Sequence, residues 1–138
     1  MARRSAPPNN RFFQACSTGK VDVVAQYLDS GVDPNSRDQY QLTGLMWAGR
    51  KGRIEVADLL IKRGADIEAG DVRGRTALFH AVPYKRYEFV EFLARLGANV
   101  NPIDSHDWTP LDVAMSRRNL KMAALLERLG AVRRSTEA

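Results

Sequence analysis

The residues of this chain that could do chemistry are few and do not lie at catalytic or metal-binding spacings. Cys16 is the single cysteine, and neither of the two histidines, His80 and His106, is near it in sequence. A reactive thiol needs a neighbouring base or cation, and a cysteine-based metal site needs several cysteines. Asp107 and Asp112 are separated by a predicted helix cap and form no acid–base pair. We therefore expect no enzymatic activity, metal site or cofactor, and a structural, buried Cys16.

The composition indicates a single soluble domain in a reducing compartment. Of the 138 residues, 27% are charged and 44% hydrophobic, and no apolar run reaches the ~18 residues that span a bilayer. Residues 1–10 contain two arginines but no apolar segment follows them, so they do not form a secretory signal. Together with the lone cysteine, these features predict a cytoplasmic protein that does not associate with membranes.

The net charge of +5 comes mainly from the two ends of the chain. Residues 1–11 carry +3 and residues 132–138 carry +1, which leaves +1 for residues 12–131. A nucleic-acid-binding surface is normally a basic patch on the folded body, so the bulk charge does not favour a nucleic-acid partner. We expect a basic, flexible N-terminal tail at residues 1–11 and a C-terminal tail at residues 132–138.

A repeat of 33 residues organises the chain. An aspartate, a threonine, a leucine, an alanine and a glycine all recur at this spacing. They are Asp38, Asp71 and Asp104; Thr43, Thr76 and Thr109; Leu45, Leu78 and Leu111; Ala15, Ala48, Ala81 and Ala114; and Gly31, Gly64, Gly97 and Gly130. Several coincident series at one period do not arise by chance, so the chain is predicted to be an array of similar units.

Each unit is predicted to be a pair of short antiparallel helices. Thr43 and its equivalents stand where the hydroxyl of an N-cap residue can accept a hydrogen bond from the first turn of a helix. In the second helix, Val56, Ala57 and Leu60 form an apolar stripe at helical spacing. Gly64 and its equivalents then end that helix. One such pair cannot bury its apolar face alone, so stability has to come from stacking.

These residues resemble the ankyrin-repeat family, whose pattern is close to Asp-x-x-Gly-x-Thr-Pro-Leu-His-x-Ala, then a second helix, then Gly-Ala-Asp-x-Asn. The resemblance covers residues 12–131 and implies an all-α solenoid of stacked helix–turn–helix units joined by β-turn fingers. The units are two full repeats between two terminal caps: about residues 5–37, 38–70, 71–103 and 104–131.

Two departures from the family pattern predict local irregularities. The glycine of the turn survives as Gly74, but Gln41 replaces it in the second unit, and glutamine tolerates a positive φ poorly. In the third unit, the residues Pro83, Tyr84 and Lys85 replace the usual end of the first helix. We expect an irregular turn near Gln41 and a local widening near Pro83.

The resemblance also implies a binding surface, because in ankyrin stacks the turn tips and first helices form a concave face and the second helices form the convex back. The concave positions of this chain are mainly cationic and aromatic, as binding hot spots are. The predicted partner-binding residues are Tyr40, Leu42, Arg50, Lys51, Arg73, Arg75, Tyr84, His106, Trp108 and Arg117. The carboxylates predicted to face outward from the second helices are Asp22, Glu55, Asp58, Glu88 and Glu91. Trp47 is expected to pack against a neighbouring unit instead.

Three functions remain open. The expected one is a non-enzymatic protein-interaction module, monomeric on its own, whose concave face binds a partner protein with acidic patches. One form of it is an inhibitory binder, such as a cytoplasmic immunity protein that neutralises a toxin. The second function is a nucleic-acid or anionic-surface binder that uses the inner face and the tails. The third is self-association through Leu125, Leu129 and other apolar residues of the last helix.

Overall fold

The computed structural model describes residues 10–133, and these residues form eight helices in four antiparallel pairs. The pairs are α1 (Asn10–Thr18) with α2 (Val21–Asp29), α3 (Gly44–Lys51) with α4 (Ile54–Lys62), α5 (Ala77–Ala81) with α6 (Tyr87–Arg95), and α7 (Pro110–Ser116) with α8 (Leu120–Arg128). No strand occurs within this range. The predicted all-α repeat solenoid is confirmed.

The predicted tails fall mostly on residues 1–9 and 134–138, which lie outside the described residues. Asn10 and Arg11 are the first two residues of α1. The domain boundary expected at residue 12 and the character of both tails stay predictions.

The recurring threonines and glycines begin and end the helices as predicted. The hydroxyl of each threonine accepts a hydrogen bond from the amide three residues later, at 3.3 Å for Thr43, 3.4 Å for Thr76 and 3.1 Å for Thr109. Gly64 and Gly97 follow the second helices with φ angles of 100° and 90°. Glycine takes this left-handed conformation without steric cost, so the chain can leave the helix and enter the next unit.

The buried faces of the helices form one continuous hydrophobic core. α3 packs against both α1 and α5, and the second helices contact one another along the back. Neighbouring units approach so closely that a Cβ added at Gly49 would lie 2.8 Å from the backbone oxygen of Ala77. Cys16 is buried in this core, and desolvation raises the pKa of its thiol to about 12. A thiol with this pKa is protonated at neutral pH, and Cys16 packs as one of the core side chains.

The prediction of an irregular turn near Gln41 is wrong. Gln41 has a φ angle of 62°, close to the 79° of Gly74 and the 63° of Asp107 at the same position of the other turns. In each turn, the aspartate three residues earlier accepts this residue's amide through its backbone oxygen, at 2.9–3.0 Å. Its side-chain Oδ1 accepts two further turn amides at 2.9–3.0 Å. These bonds hold the turn whichever residue occupies the left-handed position.

The third unit is altered near Pro83, as expected. α5 has five residues, whereas α3 has eight and α7 has seven, and residues 82–86 take the place of its last turn. α5 also packs less closely against α7 than against α3. A depression of about 320 Å³ lies beside Pro83, and Trp108 and Ser116 line its other side. The shortened helix thus widens the concave face between the third and fourth units.

Candidate functional site

A groove of about 690 Å³ lies on the concave face, between the turn tips and the first helices. It gathers seven of the ten predicted binding residues: Tyr40, Leu42, Arg50, Arg73, Arg75, Tyr84 and Arg117. The depression of about 320 Å³ contains two more, His106 and Trp108. Because both hollows are lined by Arg75, Pro83 and Arg117, they form one continuous surface, called the inner groove below.

Lys51 does not reach the inner groove. It is the last residue of α3 and lines a separate cleft of about 720 Å³, together with Lys85, Arg86 and Tyr87. Successive residues of a helix are rotated by about 100°, so Lys51 and its neighbour Arg50 point to different faces. The structure therefore separates Lys51 from the other predicted binding residues.

Arg50 is packed between two aromatic rings in the inner groove. Its Cζ lies 5.1 Å from the ring centroid of Trp47 and 5.2 Å from that of Tyr84. A guanidinium group is attracted to the faces of such rings and stacks on them. The Nε atom of Arg50 is buried and has no hydrogen-bond partner among residues 10–133. The rings, rather than hydrogen bonds of Nε, therefore order this side chain.

The turn aspartates position other side chains of the inner groove through their Oδ2 atoms. The pairs are Trp47 Nε1 with Asp38 Oδ2 at 2.7 Å, His80 Nε2 with Asp71 Oδ2 at 2.9 Å, and Arg75 Nε with Asp104 Oδ2 at 3.0 Å. The same carboxylates hold the turn backbones through Oδ1, so the turns and the inner groove are positioned together. Trp47 and His80 were missed as groove residues; the signal available in the sequence was their position nine residues after a turn aspartate.

Arg75 is engaged within the chain, unlike the free groove cation expected from the sequence. Its partner Asp104 has a fully buried side chain, with 0% exposed. Burial by itself would raise the pKa of Asp104, but the amides of Trp108 and His106, together with Arg75, hold that pKa below its usual value. The Cζ of Arg75 also lies 4.9 Å from the ring centroid of Phe79. Arg75 thus joins the third unit to the fourth, in addition to carrying charge.

Other predicted residues of the inner groove are free to contact a ligand. Arg73 and Arg117 are exposed, and their side chains form no ion pair or hydrogen bond with residues 10–133. The aromatic residues Tyr40, Tyr84 and Trp108 are 63%, 43% and 40% exposed. The larger hollow is lined by four arginines and one aspartate, so its wall is positively charged.

The convex back is less uniformly acidic than expected. Asp58 forms a 2.9 Å ion pair with Lys62, and Glu91 forms a 2.8 Å ion pair with Arg95. Both carboxylates are therefore locally neutralised. The other carboxylates predicted to face outward, Asp22, Glu55 and Glu88, are exposed.

The self-association surface predicted on the last helix is wrong for one of its residues. Leu125 is buried in the core, with 8% of its surface exposed, and Leu129 is half-buried. The exposed large apolar side chains of the fourth unit are instead Trp108, Met115 and Leu120. Leu125 is thus unavailable to a second copy of the chain.

Within residues 10–133, no group of three His, Cys, Asp or Glu side chains is arranged to hold a metal ion. His106 is exposed on a turn tip, with its Nδ1 atom 3.1 Å from Ser105 Oγ. In the same range, no helix has the length and apolar character needed to cross a membrane.

Comparison with known proteins agrees with the fold. The family model of ankyrin repeats, three copies long, matches residues 12–104. This match covers more than half of the chain, and the protein belongs to the ankyrin-repeat family. Ankyrin repeats are generally protein–protein interaction modules, and the family is typically non-enzymatic. No curated protein matches the chain significantly.

Proposed function

We propose that this protein is a binding module that holds an acidic surface of a partner protein in the inner groove. The observation that carries the proposal is the packing of Arg50 between Trp47 and Tyr84, at 5.1 and 5.2 Å from their ring centroids. Arginine, tryptophan and tyrosine are the residues most often found at binding hot spots. A side chain that is ordered beforehand loses little conformational entropy when a partner arrives.

The charge of the inner groove favours an acidic partner. Arg73 and Arg117 are exposed and unpaired within the described range, so each can form an ion pair with a carboxylate of the partner. Asp71, the one carboxylate on the wall of the larger hollow, is held by its own turn amides and by His80. Charge of one sign on one face speeds the association of an oppositely charged protein and disfavours the binding of proteins with like charge.

The exposed rings at the rim of the inner groove supply the apolar part of the contact. Tyr40 and Trp108 lie at two turn tips, and Tyr84 lies in the loop after α5. Val72, at the turn tip between them, is also exposed. Apolar side chains gathered on one face of a soluble protein mark an interaction site more often than single scattered ones do.

The test compares the parent chain with two groove variants, Arg73→Glu and Tyr84→Ala, as baits in a lysate of the source cells. Quantitative mass spectrometry would identify a protein that the parent retains and both variants lose. For that protein, once purified, the dissociation constant should rise at least about tenfold in each variant. Both residues are exposed, so the unfolding temperature should change little.

The control is Arg11→Glu, which makes the same charge change on the exposed part of α1, away from the inner groove. This variant should retain the partner as the parent does. If the purified partner bound the parent, Arg73→Glu and Tyr84→Ala equally well while all remained folded, the proposed function would be refuted.

A further inference from the structure

The loops between the two helices of each unit form a second cationic surface. These loops comprise residues 19–20, 52–53, 82–86 and 117–119, and they contain no carboxylate. Their cationic residues are Lys20, Arg53, Lys85, Arg86, Arg117 and Arg118, of which Arg117 also lines the inner groove. The row is called the loop edge below. Because the units stack side by side, consecutive loops follow one another at about 10 Å, the usual distance between packed helices.

Two of these cations occupy strained backbone positions. Lys85 and Arg118 have φ angles of 62° and 55°, whereas the equivalent residues of the first two units are Gly19 and Gly52, with φ angles of 79° and 72°. A residue with a Cβ is disfavoured in this left-handed region. Both side chains are exposed and form no ion pair or hydrogen bond within the described part of the chain. Backbone hydrogen bonds hold both loops, from the amide of Lys85 to the oxygen of Val82 at 3.1 Å and from that of Arg118 to the oxygen of Met115 at 3.0 Å, so neither side chain is needed to maintain the conformation.

Two other cations of the loop edge are fixed at the junctions between units. Arg53 Nε donates a 3.0 Å hydrogen bond to the backbone oxygen of Ser17, and Arg86 Nε donates a 2.9 Å bond to that of Arg50. Each arginine is thereby held against the preceding unit. Their terminal amino groups make no hydrogen bond with residues 10–133 and remain available to an acceptor outside the chain.

The loop edge is more positively charged in the third and fourth units than in the first two. Exposed carboxylates stand two residues into the second helix of the first three units, at Asp22, Glu55 and Glu88. In the fourth unit the same position is Lys121, whose Nζ lies 4.3 Å from the ring centroid of Tyr87. Lys85 and Arg118 therefore lie in the more positive half of the row.

We propose that the loop edge binds an extended acidic segment of a polypeptide, which would add a second contact surface to the inner groove. The inference rests on the proposed function only in taking the ligand to be a protein. An extended chain advances about 3.3–3.6 Å per residue, so one step between loops corresponds to about three residues. A segment of about ten residues with an acidic side chain at every third position would reach all four loops.

A single-stranded nucleic acid fits the loop edge less well. Proteins bind such strands by stacking the bases on free aromatic rings as well as by contacting phosphates. The two rings at this edge already carry cations, because Lys121 lies over Tyr87 and Arg50 lies over Tyr84. The cationic row is thus accessible, but a cation already lies over each ring on which bases would stack.

The test measures fluorescence polarisation of a labelled peptide of roughly twelve residues, with glutamate at every third position in a glycine–serine background, at low salt. The full chain should bind it, and the double variant Lys85→Gly/Arg118→Gly should bind it at least about fivefold more weakly. Glycine adopts the same φ angles freely, so this variant keeps the loop conformation. The matched control, Arg63→Ala/Arg95→Ala, removes two exposed cations at the C-terminal ends of α4 and α6, away from the loop edge. It should change the affinity less than about twofold.

The inference would be overturned if the parent chain did not bind the peptide or if the double variant bound it with unchanged affinity. It would also be overturned if the parent bound a peptide with the same glutamates clustered together equally well, or bound an oligonucleotide of similar length more tightly. Loss of peptide binding in Arg73→Glu instead would place the peptide in the inner groove and likewise refute the loop-edge site. This assay uses a synthetic peptide and not the captured partner protein. Its failure would therefore not refute binding of a partner in the inner groove, which is tested by the variants Arg73→Glu and Tyr84→Ala.

Discussion

The inner groove and the loop edge are both cationic, but their cations are held in different ways. In the inner groove, Arg50 is packed between two rings and Arg75 is bonded to the buried Asp104. On the loop edge, the side chains of Lys85 and Arg118 form no ion pair or hydrogen bond in the described chain, and both residues have left-handed backbones.

This difference predicts different contributions of the two surfaces to binding. Ordered cations in a groove form short-range contacts that slow dissociation, whereas free cations at an edge mainly raise the association rate through the long-range field. The same difference predicts different effects on stability when individual cations are removed. Removing a cation that is bonded within the chain, such as Arg75 of the inner groove or Arg86 of the loop edge, should cost stability, and removing a free one, such as Lys85, should not.

The largest expected effect is at Arg75. Arg75→Ala leaves the buried carboxylate of Asp104 with backbone amides as its remaining donors, so the free energy of unfolding should fall by about 2 kcal/mol. Urea unfolding followed by circular dichroism measures the change. Arg73→Ala is the control, because Arg73 is exposed and unpaired, and it should change stability by less than about 0.5 kcal/mol. Equal effects of the two substitutions would remove the distinction between structural and free groove cations.

A smaller effect is expected from pH. Burial lowers the pKa of His80 below its ordinary value, although Asp71, 2.9 Å away, acts in the opposite direction. The unfolded chain therefore takes up the proton more readily, and stability should decrease as the pH falls through about 6.5. We expect a loss of about 1 kcal/mol between about pH 7.5 and pH 5.5.

The two histidines provide a matched comparison for this effect. His80→Gln should abolish most of the pH dependence of urea unfolding in that interval. The control is His106→Gln, which makes the same substitution at an exposed turn tip. A pH dependence that persisted in His80→Gln would show that another group is responsible.

The smallest expected effect is at the loop edge. Lys85→Gly relieves the strain of a left-handed residue and should raise the free energy of unfolding by about 0.5–1 kcal/mol. Lys85→Ala removes the same charge but keeps a Cβ at a φ of 62°, so its stability should stay close to that of the parent. Thermal unfolding of the three proteins distinguishes strain from charge. Identical melting temperatures for the glycine and alanine variants would show that position 85 is not strained.

The fold was predictable from the sequence because its determinants are local. A threonine that caps a helix or a glycine that ends one acts within a few residues, so the repeat of 33 reports each unit directly. The error at Gln41 has the same origin. The low preference of glutamine for a positive φ was recognised, but the hydrogen bonds that Asp38 accepts from turn amides, which outweigh it, form only in the folded turn.

The candidate site was predictable in its location and less so in its contacts. Matching the chain to the ankyrin-repeat pattern identified nine residues that line the inner groove among the ten predicted. The pattern did not distinguish Lys51 from Arg50 at the end of a helix. The bond between Arg75 and Asp104 joins residues 29 positions apart, in different units. Such contacts depend on how the units stack, and no pattern within one unit reveals them.

Hydrogen–deuterium exchange of the chain with and without its captured partner tests the central claim most directly, because it locates the contact without any substitution. If the partner lies in the inner groove, amide exchange should slow at the turn tips of residues 39–42, 72–75 and 105–108 and change little in α2 and α4. Slower exchange confined to α4 and α6, with the turn tips unaffected, would contradict binding at the inner groove.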